Sequence, residues 1–292
     1  MFRKKHALQS RSEIALRNIV VIFLVVCLLL FTIIPIIVAL AGSFHQWNPL
    51  NGTYKFIGLA NYERLFNYPT FWTAMGNTVI FCAVTIVFRV LLGLLLAYAI
   101  TSSLTRFKTF FRTMLYMPTV TPLVAVAYVW KIMYNPQFGL IDQITGLNID
   151  WLMDSRYALL AIMLMTIWKD FGYAVILFMS GLLSVSTDCQ EAASIDGANA
   201  WQTFRYVTLP LLKPTTIFVV ITSLISYLQA YVPVLVMTKG GPGTSTYLSS
   251  YIVYDQAFVK YNFGFASAIS FIILIFTAIL TVLSFKVTQE RV

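Results

Sequence analysis

The sequence predicts an all-α membrane protein of six transmembrane helices. Three observations lead there. Only 11% of the 292 residues are charged and 59% are hydrophobic, against about 25% and 45–50% in soluble domains. A chain so short of charge cannot cover a water-facing surface of this size, and it is too apolar for disorder. Second, the apolar residues gather in six long runs, each near the roughly 20 residues that cross about 30 Å of hydrocarbon. Third, every run exceeds the about 9–11 residues of a barrel strand, whereas a helix satisfies its own backbone groups in lipid.

Taken in order, the first run, 19–41, carries no charge. Its basic flank and Ala39-Leu40-Ala41 are signal-peptide features, but the run is longer than the usual h-region of about 7–15 residues, so it is read as an uncleaved span. The second, about 74–100, is interrupted only by Arg89. The third covers about 113–130. The fourth, about 157–183, holds Lys169 and Asp170 in its middle. The fifth, 214–238, and the sixth, 261–285, are charge-free. Residues 1–18 form a cytoplasmic segment, 19–286 the six-helix domain with a polar loop at 184–213, and 287–292 a cytoplasmic tail. No internal repeat or linker divides the chain.

Orientation follows the Lys and Arg residues of the short loops. With both termini inside, the inner segments hold twelve of the twenty: Arg3, Lys4, Lys5, Arg11 and Arg17, then Arg106, Lys108 and Arg112, then Arg205, Lys213, Lys286 and Arg291. The outer loops hold Lys55, Arg64, Arg156, Lys239 and Lys260. The net charge of +9 therefore has a topological cause. No basic stripe interleaved with aromatics points to nucleic acid. Cys27, Cys82 and Cys189 are too widely spaced for a disulfide framework or a CxxC site. His6 and His45 have no cluster of metal-ligating partners. Charges at Arg89, Lys169 and Asp170 are expensive in mid-membrane, so they are expected to face the bundle interior, with Asp170 pairing with Arg89 or with a neighbouring subunit. They serve either helix packing or the polar lining of a pathway. Trp130 and Trp151, near span ends, fit an interfacial belt.

The loop at 184–213 is too long for a simple helix connection. Thr187 with Gln190, and Asp188 with Glu191, have capping spacing. Gly197 then breaks a first short helix. Asn199 with Gln202 repeats the spacing and opens a second helix through Trp201, Phe204 and Val207, which Pro210 and Pro214 end. Small residues (Ala192, Ala193, Ala198, Ala200), aromatics and the charges of Glu191, Asp196 and Arg205 suit either docking to a partner or resting on headgroups.

Glu191-Ala192-Ala193, three residues, Gly197, nine residues, Val207, one residue, then Leu209-Pro210 resembles the EAA loop of ABC importer permeases, with Val207 in place of isoleucine. Gly58-Leu59-Ala60-Asn61-Tyr62 with Leu65-Phe66, Ser194-Ile195-Asp196-Gly197-Ala198, and Val236-Met237-Thr238 before Gly240-Gly241-Pro242 resemble segments of MalF-like subunits of sugar importers. Lys239 stands where that family often has glycine, and Val232 where many members have aspartate. These departures bear on the solute, not on the family.

The resemblance implies a type I importer permease fold with a cytoplasmic coupling loop. It implies that Glu191, Ala192, Ala193, Asp196, Gly197, Leu209 and Pro210 couple the chain to cytoplasmic ATPase subunits, which bind the ATP and magnesium. It implies a second permease subunit, two ATPase subunits, an extracellular sugar-binding protein, and a cell-membrane location. No cofactor is expected in this chain. A P-loop needs a lysine after its glycines, and Gly240-Gly241-Pro242-Gly243-Thr244-Ser245-Thr246 has none. The chain therefore reads as a transport subunit and not an enzyme.

A sugar path needs aromatic faces and hydrogen-bonding side chains. Trp168, Asp170 and Tyr173 on the fourth span, and Tyr227, Gln229 and Tyr231 on the fifth, are the candidates. Gln229 falls at the glutamine of the family's "FQxF" segment, and Tyr227 and Tyr231, four apart, are expected on one helical face. Gln229 and Tyr173 are the first choices for substrate contact. The alternatives are a permease for a non-sugar solute and a stand-alone secondary transporter. An intramembrane enzyme would need a catalytic cluster, which this sequence does not offer.

Overall fold

The computed structural model describes residues 11–102, 105–147 and 149–289. Arg3, Lys4, Lys5, His6 and Arg291 lie outside them, as do the side chains of Arg11, Gln190 and Lys286. The first apolar run becomes α1 (Arg11–Leu28), a π-helical turn at Leu29–Ile33, and α2 (Ile34–Ser43). Its most apolar stretch buries nothing within this chain.

A small hairpin follows. β1 (His45–Asn48) pairs antiparallel with β2 (Thr53–Phe56), placing His45 opposite Phe56 and Asn48 opposite Thr53. It adds a small sheet that the sequence reading did not foresee to an otherwise helical fold. Its signal was Asn51-Gly52 between short aromatic runs, and Gly52 indeed takes φ +68°. α3 (Ala60–Phe66) then locks the hairpin down. Its buried Asn61 donates its amide to the carbonyls of Ser43 and His45, at 2.8 and 3.0 Å.

α4 (Pro69–Thr101) is 33 residues long, about 50 Å at 1.5 Å per residue. The third span is not one helix over 113–130. α5 (Lys108–Val120) and α6 (Leu123–Met133) meet at 94°. Proline disfavours helical geometry in the residue before it, and Thr121, before Pro122, has ψ +136°. Beyond α7 (Leu140–Thr145), Trp151 is buried and donates its indole N–H to Asp142 at 2.8 Å. It belongs to the core, not to an interfacial belt, because that N–H has an internal acceptor.

α8 (Ala158–Ser184) is the central helix, packed on both α4 and α5. The polar loop follows as α9 (Thr187–Ile195), α10 (Ala200–Thr203), a π turn at Phe204–Thr208 and α11 (Leu209–Leu211). The chain turns by 61° into α12 (Lys213–Leu228). The fifth span is also broken: α12 stops at Leu228, and α13 (Val232–Met237) restarts after Gln229–Tyr231. Pro233 accounts for the break, since its ring lacks an N–H and clashes with the carbonyl four residues back. The Leu228 carbonyl, at the end of α12, accepts the Ser250 hydroxyl at 2.9 Å, from α14 (Ser249–Tyr254). A π turn at Asp255–Val259 and α15 (Phe263–Gln289) complete the described chain, with α2 packed on α15. Among the described residues, four helices are long and apolar enough to cross a bilayer, and bent pairs bring the total to as many as six.

Three apolar clusters hold these helices. One joins Phe81, Tyr134, Ile162, Met165 and Leu228. A second joins Ala97, Val175, Phe178 and Val219, toward the polar loop. A third joins Leu65, Phe71, Ile252 and Phe265, toward the hairpin. The glycine-rich segment after α13 is a closed turn, with the Thr246 hydroxyl 2.8 Å from that of Thr238 and donating to the Gly241 carbonyl at 2.9 Å. Beside it, burial and then the Asp255 carboxylate push the Tyr251 hydroxyl up to about 12, so Tyr251 stays neutral at physiological pH.

Lys239 enters this turn at φ +53°, in the left-handed region that costs a side-chain-bearing residue about 1 kcal/mol or more. This explains why glycine suits the position. Lys239→Gly is expected to stabilise the protein by about 0.5–1 kcal/mol, after its own chain-entropy cost, and to raise the melting temperature by about 1–2 °C. A thermal scan in detergent checks this.

Candidate functional site

Two features stand out, one at the end of the bundle and one in its middle. The first is the polar loop. Its N-cap is Ser186, whose hydroxyl accepts the Asp188 N–H at 3.2 Å. Thr187 and Asp188 are therefore inside α9, which corrects the expected caps. α9 closes with paired hydrogen bonds, Ala198 N–H to Ala193 carbonyl at 2.9 Å and Gly197 N–H to Ser194 carbonyl at 3.1 Å. With Gly197 at φ +80°, this is a Schellman motif. The three-residue gap between Ala193 and Gly197 is thus the spacing that lets the Ala193 carbonyl be capped. α10 opens with the expected capping box: Asn199 Oδ1 accepts the Gln202 N–H at 2.9 Å, and Gln202 Oε1 accepts the Asn199 N–H at 2.8 Å.

Glu191, Ala192, Asp196 and Gly197 are exposed, while Ala193 is half-buried. Leu209 is half-buried and Pro210 exposed, at the α11 end. Among the described residues, Glu191, Asp196 and Arg205 form no ion pair. Trp201, Tyr206 and Ile195 are exposed by 68%, 75% and 86%, an apolar surface with nothing of this chain over it. The loop is fastened to the bundle by Phe204, whose ring meets Tyr98 of α4 edge-on at 4.8 Å.

The second feature is a cavity of about 200 Å³ where both broken spans come together. Leu123, at the start of α6, and Gln229–Pro233, at the break between α12 and α13, line it with Thr166, Asp170, Ser226 and Tyr227. Four of the six sequence candidates, Asp170, Tyr227, Gln229 and Tyr231, therefore share one wall. Tyr227 and Tyr231 do not share a helical face, because the helix ends between them. The break brings both to the cavity instead, with Tyr231 stacked on Tyr254 at 5.7 Å. Tyr173 and Trp168 do not line it. Tyr173 lies under the Arg89 guanidinium, 5.6 Å from ring centroid to Cζ, and Trp168 packs on Trp130 at 5.6 Å.

The mid-span charges differ from expectation. Asp170 pairs with its neighbour Lys169 at 3.7 Å, not with Arg89. Lys169 also donates to the Thr119 carbonyl at 3.2 Å, and the Thr119 hydroxyl donates back to the Lys169 carbonyl at 3.0 Å. Buried Arg89 instead donates to the hydroxyls of Ser223 and Tyr227, at 3.0 and 3.4 Å. It sits behind the cavity wall and braces α4 against α12. Thr166, Ser226 and Ser223 were not foreseen; only Pro122 and Pro233 hinted at where the helices open.

Irregular backbone at membrane depth is tolerated where it is buried in protein or lines a polar cavity, as in the discontinuous helices of transporters. The fold and this cavity define a polytopic membrane transport component. Residues 89–290 match the family described as "Binding-protein-dependent transport system inner membrane component", and the chain belongs to that family, as an ABC transporter permease subunit. It is 34% identical over 270 residues to the lactose transport system permease protein LacF of Rhizobium radiobacter, covering 89% of this chain and 90% of that one. It is 34% identical over 243 residues to the sn-glycerol-3-phosphate transport system permease protein UgpA of Agrobacterium fabrum, covering 82% of each. It shares its fold with a chain of a bacterial ABC transporter involved in the import of the acidic polysaccharide alginate, with a TM-score of 0.81, 19% identity, and coverage of 94% of this chain and 95% of that one.

Proposed function

We propose that the chain forms, with a second permease subunit, the pathway by which an ABC importer takes up a neutral carbohydrate, an oligosaccharide above all. The observation that carries this reading is the cavity at the two helix breaks. Its wall offers a carboxylate, an amide, three hydroxyl types and aromatic rings, the groups that recognise sugars. Among the described residues, no cation lines it, which favours a neutral sugar over a phosphorylated polyol. Its volume is below the about 300–1,000 Å³ of a complete small-molecule site, so a second permease subunit supplies the other wall.

In this reading both termini are cytoplasmic, 1–18 and 287–292 flank the transmembrane domain 19–286, and the loop at 184–213 seats on an ATPase subunit. Glu191, Ala192, Ala193, Asp196, Gly197, Leu209 and Pro210 form or support the seated surface. ATP and magnesium are handled by two ATPase subunits, and an extracellular binding protein delivers the sugar to the hairpin end. Gln229, Tyr227, Tyr231 and Asp170 contact the solute, while Tyr173 and Trp168 support the wall from behind.

The test is ATP-driven uptake by the complete transporter in proteoliposomes, comparing oligosaccharides with glycerol phosphate. Gln229→Ala is expected to raise the half-saturating sugar concentration about five- to tenfold, the worth of one or two neutral hydrogen bonds. Unchanged sugar uptake in a Gln229→Ala/Tyr231→Ala double variant would remove the cavity from the pathway. Preferential uptake of glycerol phosphate would overturn the neutral-sugar reading.

A further inference from the structure

A second recess lies between α5 and α8. It measures about 610 Å³ and is lined by one stripe of α5 (Thr109, Arg112, Thr113, Tyr116, Met117, Val120) with Ile176 of α8. The positions recur at three- and four-residue intervals, so they share a face. From Thr109 to Val120 the stripe runs about 17 Å at 1.5 Å per residue, close to the roughly 15 Å of hydrocarbon in one leaflet, and Thr121 and Pro122 close its end.

The groove is graded along its length. Its deep end, at the 94° bend, is apolar. Threonine does not make it otherwise: the Thr113 hydroxyl donates to the Thr109 carbonyl at 3.0 Å, and that of Thr121 to the Met117 carbonyl at 3.1 Å, so these donors are satisfied within the helix. The other end, next to the polar loop, is basic. Arg112 lines it, exposed and without a hydrogen bond or ion pair among the described residues, and Arg106 and Lys108 lie within six residues of it.

We propose that this groove binds an anionic glycerophospholipid, its phosphate on Arg112 and one acyl chain along Met117, Val120 and Ile176. A guanidinium is suited to phosphate because it presents several fixed donors at once. Charge complementarity at headgroup depth and an apolar slot one leaflet long favour lipid over a free anion, which would leave the slot empty. The lipid braces the bent third span at its bend, where groove-lining Pro122 precedes cavity-lining Leu123.

The experiment uses the assembled transporter in nanodiscs of phosphatidylglycerol or phosphatidylcholine, with bound lipid counted by native mass spectrometry after exchange. Wild type is expected to retain phosphatidylglycerol about tenfold over phosphatidylcholine. Arg112→Gln is expected to reduce that preference to twofold or less, and Met117→Trp, which fills the slot from an exposed position, to displace the lipid. Arg106→Gln serves as the surface-charge control and leaves the preference intact. The assignment fails if Arg112→Gln retains the preference, or if Arg106→Gln loses it equally. It also fails if Met117→Cys cross-links to a second permease subunit, which makes protein the occupant, or reacts with a water-soluble thiol reagent as fast as exposed Cys189, which makes the groove an aqueous route.

Discussion

Gly197→Pro is expected to leave membrane insertion and subunit assembly intact and to reduce transport at least a hundredfold. Proline fixes φ near −65°, and Gly197 stands at φ +80°, so the turn cannot form around it. The substitution also removes the N–H that caps the Ser194 carbonyl at 3.1 Å, and the Ala198-to-Ala193 bond fails with it. α9 and α10 lose their mutual orientation, while the spans, which hold their own clusters, do not depend on this loop. Gly197→Ala separates geometry from the mere presence of a side chain. Nothing lies within 4 Å of where the alanine methyl group would stand, so alanine adds only the cost of the left-handed backbone, about 1 kcal/mol, and is expected to retain much of the activity. The readouts are solute-stimulated ATP hydrolysis and uptake in the reconstituted transporter. Full coupling in the proline variant would show that the loop is not the transmission element.

Gly172→Ala is expected to be strongly destabilising for a single added methyl group, costing about 2–3 kcal/mol, toward the upper end for overpacking. A methyl group there would stand 2.1 Å from the Leu115 carbonyl oxygen and 2.9 Å from its carbon. Those atoms belong to the α5 backbone and cannot swing aside as a side chain can. α5 must lift from α8, and the reciprocal bonds between Thr119 and Lys169 go with it. Because α5 ends at the bend beside the cavity proposed to hold solute, the half-saturating solute concentration should rise as thermal stability falls. A variant as stable as the parent would mean that the α5–α8 contact is not the close crossing described.

Much of this molecule is legible in its sequence, for identifiable reasons. Apolar length gives α4, α8 and α15 nearly to their ends, because a run of that size, even with Arg89 in α4 or Lys169 and Asp170 in α8, has one outcome in lipid. The helix–turn–helix at 184–213 is legible because its stops are chemical: Gly197 for the left-handed cap, and Asn199 with Gln202 for the reciprocal box. The Ser186 cap was missed because Thr187 and Asp188 offer the same chemistry one and two residues later. The two broken spans were missed because hydropathy averages across Pro122 and Pro233, and proline is also tolerated in intact membrane helices. Which charges meet inside the bundle is not a local property. Arg89 and Asp170 lie on different helices, and only the rotation of each helix decides that Arg89 faces Ser223 and Tyr227. The membership of the cavity was partly legible by residue type, but Tyr173 and Trp168 show that type does not fix which side of the wall a ring occupies.

The loop's internal capping has a thermodynamic consequence. Most flexible segments lose conformational freedom when a partner orders them, and that loss weakens the complex. Here the donors of the turn are already satisfied by Ala193, Ser194, Asn199 and Gln202 before any partner arrives. Under the proposed seating on an ATPase subunit, association should resemble the meeting of two rigid bodies, with a small entropic penalty and little dependence on prior folding, so that repeated seating and release would not rebuild the element each time.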